Sequence, residues 1–169
     1  MLVRLLLLGL MFFSLSFCVK HEMVAKFEPK QDFSGRLLVM DQKHRFQLDM
    51  DWAGDAKQGN VRLTHGLSGR IVDVRWMNET MRWRDNQQSL SWQMLTVDEL
   101  LDMGVIFPPW VMAKIFAGDL PATMMSKDQR TWQGKLAEHE LKIIWASAQQ
   151  KVELVDLKRG KKAGVMFDE

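Results

Sequence analysis

The stretch Arg45-Phe46-Gln47-Leu48-Asp49-Met50-Asp51-Trp52 alternates without a break. Phe46, Leu48, Met50 and Trp52 fall on one side, and Arg45, Gln47, Asp49 and Asp51 on the other. A helix would spread these residues around its circumference, whereas an extended chain sends successive side chains to opposite faces. The period of two therefore predicts an antiparallel strand with one face in a core and the other in water. Asp49 and Asp51 share the wet face. Two carboxylates can divide acid and base work, but a position behind a continuous apolar row makes solvent contact the stronger expectation.

The same pattern extends both ways. Phe33 to Met40 predicts a preceding strand. Ala53 to Asn60 holds two glycines and no large apolar group, and predicts a hairpin loop. Val61 to Thr64 begins a third strand, which turns at Gly66-Leu67-Ser68-Gly69 and returns as Arg70 to Trp76 with Val72, Val74 and Trp76 on one face. Turns at Asn78-Glu79 and Asp85-Asn86 enclose a strand around Met81 and Trp83, and Ser89 to Met94 adds another. Then the period changes. Thr96-Val97-Asp98-Glu99 has the spacing of a capping box, opening a short helix that stops at Gly104. Pro108-Pro109 opens a second helix, Trp110 to Ala117, stopped by Gly118. Strands resume at Thr131 to Leu136, Leu141 to Ala146 and Lys151 to Leu157. A basic turn, Lys158-Arg159-Gly160-Lys161-Lys162, leads to a last strand, Ala163 to Phe167. The order is about six strands, two short helices and about four strands. The expected fold is mostly β, of the α+β kind. It is a single antiparallel sheet with too many strands to stay flat, so it curls and buries its apolar face under the two helices.

The N-terminal stretch does not belong to that sheet. Arg4 is its only charge before Lys20, and Leu5 to Phe17 is apolar apart from Gly9, Ser14 and Ser16. A positive end followed by a short hydrophobic run is the layout of a secretion signal, too short to span a bilayer comfortably. Leu15-Ser16-Phe17-Cys18 resembles a lipobox, with Cys18 as the lipidated first residue of the mature protein; cleavage after Ser16 is the alternative. The expected organisation is a signal peptide at 1–17, a lipidated tether at 18–30 and one folded domain at 31–169.

Composition narrows the function classes. Cys18 is the only cysteine, so the rest of the chain has neither disulfides nor thiol chemistry. A formal net charge of +2 and the lack of nucleic-acid signatures give no case for a nucleic-acid partner. His21, His44, His65 and His139 are scattered, with no metal-ligand spacing. Nucleophile-elbow, Walker and dinucleotide motifs are absent. His139, between two glutamates, reads as a surface residue in a turn. The expectation is a protein without catalytic residues, metal or cofactor. Thirteen methionines and seven tryptophans, with no tyrosine, suit either an ordinary core or a cavity for flexible apolar ligands.

The order and spacing of several pieces resemble the LolB family of outer-membrane lipoprotein receptors. The pieces are Gly35-Arg36-Leu37, Phe46 to Trp52, Val61-Arg62-Leu63-Thr64 with the Gly66–Gly69 turn, and Glu99-Leu100-Leu101 with Gly104. They continue with the Pro-led helix ending Gly118-Asp119-Leu120-Pro121, Trp132 with Gly134, and the basic C-terminal hairpin. The resemblance implies a half-barrel, an incomplete β-barrel that holds acyl chains under a short helical lid. Phe46, Leu48, Met50, Trp52, Val72 and Val74 would form the cavity wall, and Trp110, Met112 and Phe116 the lid. Leu67 would be a membrane-inserting residue, although His65-Gly66 replaces the Asn-Pro usual before it. The implied partners are lipoprotein acyl chains, a periplasmic carrier of the LolA type and outer-membrane phospholipid. The implied form is a monomer, anchored through Cys18 to the periplasmic face of the outer membrane. A carrier of another lipid or glycolipid, and a structural envelope lipoprotein with a filled core, are the competing expectations.

Overall fold

The computed structural model describes residues 29–168 apart from 41–44, 103–104, 127, 129, 137–138 and 147–149. The expected signal peptide, Cys18, most of the tether and the Gly104 helix stop lie outside these residues.

Eleven strands form one antiparallel sheet. The first six are β1 (Asp32–Met40), β2 (Arg45–Gly54), β3 (Gln58–His65), β4 (Arg70–Met77), β5 (Thr80–Asp85) and β6 (Ser89–Leu95). Two helices follow, α1 (Val97–Asp102) and α2 (Pro109–Phe116). The remaining strands are β7 (Met124–Ser126), β8 (Thr131–Leu136), β9 (His139–Ala146), β10 (Lys151–Asp156) and β11 (Lys162–Phe167). Each pairs with its sequence neighbour, and β1 also pairs with β11, giving the order β6-β5-β4-β3-β2-β1-β11-β10-β9-β8-β7. The sheet is not closed: β6 and β7 are its edges, and the architecture is that of an incomplete curled barrel.

The expected strands are present, with corrected ends. The Ala53–Asn60 loop contracts to Asp55–Lys57, because β2 runs on to Gly54 and β3 starts at Gln58. The Asp55 carboxylate makes so short a turn workable by accepting the N–H groups of Gln58 (2.9 Å) and Lys57 (2.7 Å), which hold its pKa below the usual value. Lys162 belongs to β11 rather than to the basic turn, and His139 is the first residue of β9, paired with Leu136. Strand β7 had no sequence signal; three residues are too few to show a period. Asp49 and Asp51 are exposed, behind buried Met50 and Trp52.

The capping box forms as spaced. The Thr96 N–H donates to the Glu99 carboxylate at 2.8 Å, and the Glu99 N–H donates to Thr96 Oγ1 at 3.2 Å. Helix α2 has Pro109 in its first turn, where a missing N–H costs nothing. It ends as Gly118 enters the left-handed region at φ 71° and donates to the Ile115 carbonyl at 3.0 Å. Ala113, Ile115 and Phe116 are buried. They join the inner sheet residues Met50, Trp52, Val74, Trp76, Ile143, Val165 and Phe167 in one core. At the junction of β1 and β11, Gly35 faces the Met166 carbonyl so closely that a Cβ would collide with backbone.

Candidate functional site

The concave face of the sheet has two unlike ends. At the end formed by the β2–β3 and β4–β5 turns, aromatic rings fill the space. Phe33 meets Phe167 edge-on at 4.7 Å between centroids and Phe116 at 5.1 Å. Trp52 lies 4.9 Å from Trp76 and 5.0 Å from Phe116. Trp145 stacks on Phe167 at 5.8 Å. These separations and mostly edge-to-face angles suit the ring quadrupoles, and the rings fill most of this end.

At the other end the inner rows carry aliphatic side chains, and space remains. A cavity of about 530 Å³ lies against Leu37, Phe46, Leu48, Leu63, Val72 and Trp83. A smaller one of about 80 Å³ continues inward to Met50, Trp52 and Phe107, with Met112 of α2 above it. Both touch Leu37, Val39, Leu63, Val74, Leu100 and Val105, so they are two chambers of one apolar space. Leu100 belongs to α1 and Val105 to the segment after it, which places the helical region over the hollow. The cavity reaches the rim at His65, Ser68 and Arg70. Its volume falls within the roughly 300–1,000 Å³ of small-molecule sites.

The sequence-expected residues divide between these ends. Phe46, Leu48, Val72 and Val74 lie on the wall of the larger chamber. Met50, Trp52, Val74 and Met112 lie on the smaller one. Trp110 is half-buried against the core and lines neither chamber. Phe116 has no exposed surface and sits among Phe33, Trp52 and Phe167, in the aromatic cluster instead of a lid. Leu37, Val39, Leu63, Trp83, Leu100 and Val105 line the space as well, beyond the residues that the sequence pattern and the resemblance point to. Leu63 was foreseeable, since Val61, Leu63 and His65 continue the inner row of β3. Among buried side chains, Trp52 Nε1 has no hydrogen-bond partner among the described residues, whereas Trp76 Nε1 donates to the Asp55 carbonyl at 2.9 Å.

Leu67 stands at the tip of the β3–β4 turn, 97% exposed. The turn beneath it is braced on all sides. The Gly69 N–H donates to the His65 carbonyl at 2.9 Å, with Gly69 at φ 64°. From the β5–β6 turn, Asn86 Nδ2 donates to the Gly69 carbonyl (3.0 Å) and Gln87 Nε2 to the Ser68 carbonyl (3.2 Å). Arg70 donates through Nε to Asp85 Oδ2 at 2.7 Å, and its second nitrogen lies 2.5 Å away. Asp85 is 1% exposed. Burial raises its pKa, but the Gln87 N–H and the Arg70 guanidinium outweigh burial and hold it below the usual carboxylate range. The rim is thus a rigid mount for one bare leucine.

Ser68 Oγ lies 3.0 Å from His65 Nδ1, the one contact here that resembles a nucleophile and its base. The same Nδ1 takes the Ser68 N–H at 3.2 Å, and among the described residues no carboxylate bonds to the ring. A working pair needs a base oriented by a third group, so this contact closes the turn. Among the described residues no cluster of His, Cys, Asp or Glu is placed to hold a metal ion. No described helix is long and apolar enough to cross a membrane. Neither a family model nor a curated protein sequence matches this chain.

Proposed function

We propose that this protein is a non-enzymatic receptor of the LolB type. It is held at the periplasmic face of the outer membrane by a lipid on Cys18. It takes the acyl chains of lipoproteins from a soluble LolA-type carrier and passes them to outer-membrane phospholipid. The observation that carries this reading is the apolar cavity of about 530 Å³ that reaches the rim beside an uncovered leucine. Water in such a cavity has few polar partners, so an acyl chain is the better occupant. Burying each CH₂ contributes about 0.8 kcal/mol, so a long chain gains on the order of 10 kcal/mol before ordering costs.

Extraction of the purified protein followed by mass spectrometry of the recovered lipids tests the cavity. Acyl-bearing molecules at near one per chain are expected, and a fluorescent fatty acid should be displaced by them. A preparation that holds no lipid and takes up no fatty acid would sink this reading in favour of a structural lipoprotein. Recovered glycolipid in place of lipoprotein or fatty acid would move the ligand to another amphiphile. Fractionation with the inner membrane would end the receptor assignment.

A further inference from the structure

The strand registers put the β10–β11 hairpin on the same rim as Leu67. Met40 at the end of β1 faces Arg45 on one side and Lys162 on the other. Thr64 of β3 faces Asp49 of β2, so the β3–β4 turn projects from the end of the sheet where Arg45 lies. Neighbouring strands are about 4.8 Å apart, and four steps separate the midpoints of the β3–β4 and β10–β11 turns, so the two turns stand roughly 20 Å apart around the rim. Leu157, 42% exposed, opens the hairpin, and Lys158, Arg159 and Lys162 follow it, all exposed. Among the described residues no ion pair joins these three, or Arg45, to a carboxylate.

Two of the carboxylates described at this end are buried and engaged within the fold. Asp85 is buried against Arg70. Asp156 is buried and accepts the N–H groups of Lys158 (3.0 Å) and Arg159 (2.8 Å), which fixes the hairpin. Glu140 on β9 is exposed. The rim therefore shows exposed apolar side chains, Leu67 and Leu157 with Leu90 beyond Leu67, and exposed cations beside Leu157. Apolar groups flanked by Lys and Arg match the boundary between headgroups and acyl chains of an anionic bilayer.

We propose that the β10–β11 hairpin is a second docking element that sets the cavity mouth down on anionic phospholipid, with Leu157 beside the acyl boundary and Lys158, Arg159, Lys162 and Arg45 on the phosphates. This inference rests on the receptor reading for its purpose, because a mouth flat on the bilayer lets a chain leave the cavity without crossing water. Its geometry stands on the rim alone.

Lysine footprinting of the full, anchored chain tests it. The protein is placed in vesicles of phosphatidylcholine, or of phosphatidylcholine with about one-third phosphatidylglycerol, and treated with a water-soluble amine reagent. Exposed Lys57 and Lys114, at the opposite end of the sheet, serve as references. Lys158 and Lys162 should label at least severalfold more slowly than Lys57 on the anionic vesicles only. The protection should vanish in 1 M salt, where the screening length falls to about 3 Å. Each basic residue near an anionic surface strengthens association about fivefold. An Arg45→Gln, Arg159→Gln variant should therefore weaken hairpin association on the order of twentyfold, bringing Lys158 labelling close to that of Lys57 while fatty-acid uptake is unchanged. Equal labelling of Lys158 and Lys57 on both vesicles overturns the proposal, as does protection that is the same on neutral lipid. If fatty-acid uptake fails and the hairpin is still shielded on anionic vesicles, the receptor reading falls and the docking surface stands. Uptake with an unshielded hairpin gives the reverse.

Discussion

The two ends of the concave face are built from the same strands and behave oppositely. On β1 the inner row passes from Phe33 to Leu37 and Val39, and on β4 it passes from Trp76 to Val72. The rings of Phe33, Trp52, Trp76, Phe116 and Phe167 close one end, while the aliphatic row leaves the other hollow. A filled aromatic end can stabilise the half-barrel without help from any ligand. That leaves the hollow end free to forgo contacts that a close-packed interior would have made. On the proposed function, stability and binding fall to different stretches of the same strands.

The sharpest way to break this comparison is to truncate one side chain at each end. Phe116→Ala, in the filled cluster, should cost about 3–5 kcal/mol in urea unfolding, the range for a buried ring. Leu48→Ala, on the half-buried hollow wall, should cost about 1 kcal/mol, because space beside it is already empty. Equal losses would mean that the two ends share one packing state.

A smaller effect is expected at the rim. Asp85 has a lowered folded pKa, so its contribution is present above the unfolded carboxylate value and disappears as pH falls through the folded one. Asp85→Asn should cost about 1–3 kcal/mol at neutral pH. It should also flatten the acid limb of a pH–stability curve below about pH 4. An acid limb identical to the parent's would remove the Arg70–Asp85 pair as the brace under Leu67.

Within the aromatic end, two tryptophans on either side of β3, Trp52 on β2 and Trp76 on β4, separate packing from hydrogen bonding. Trp76→Phe loses a bond to the Asp55 carbonyl, while Trp52→Phe removes a donor that has no partner. Thermal unfolding should therefore favour the Trp52 variant by about 1 kcal/mol. Smallest of all is the expected change in stability for Leu67→Glu, within about 0.5 kcal/mol, since nothing packs on that side chain. On the proposed function, release of lipoprotein to membranes should nevertheless drop sharply. Unchanged release would separate Leu67 from delivery.

Much of the fold was legible because its signals are local. The alternation of Phe46 to Trp52, the Thr96–Glu99 spacing and the proline and glycine at the ends of α2 each act within a few residues. Strand β7 was not legible, because Met124–Ser126 is held by its pairing with β8 and has no pattern of its own. The site was legible only in part. Alternation places Phe46, Leu48, Met50 and Trp52 on one face, yet it says nothing of where along that face the space lies. The structure puts the first two on the larger chamber and the last two deeper, at the smaller one. Phe116 carries the same apolar signal as Met112, but the helix turns it into the aromatic cluster.

By itself, then, the sequence determined a curled antiparallel sheet with a mid-chain helical cover, since side-chain period and turn chemistry are properties of neighbouring residues. Only the tertiary structure decided that the concave face is full at one end and hollow at the other. It alone also brought Leu67 and the Lys158–Lys162 hairpin onto one rim. Both depend on register between strands far apart in the chain. A shift of one residue in pairing would turn every inner side chain outward, and no local pattern records which row meets which.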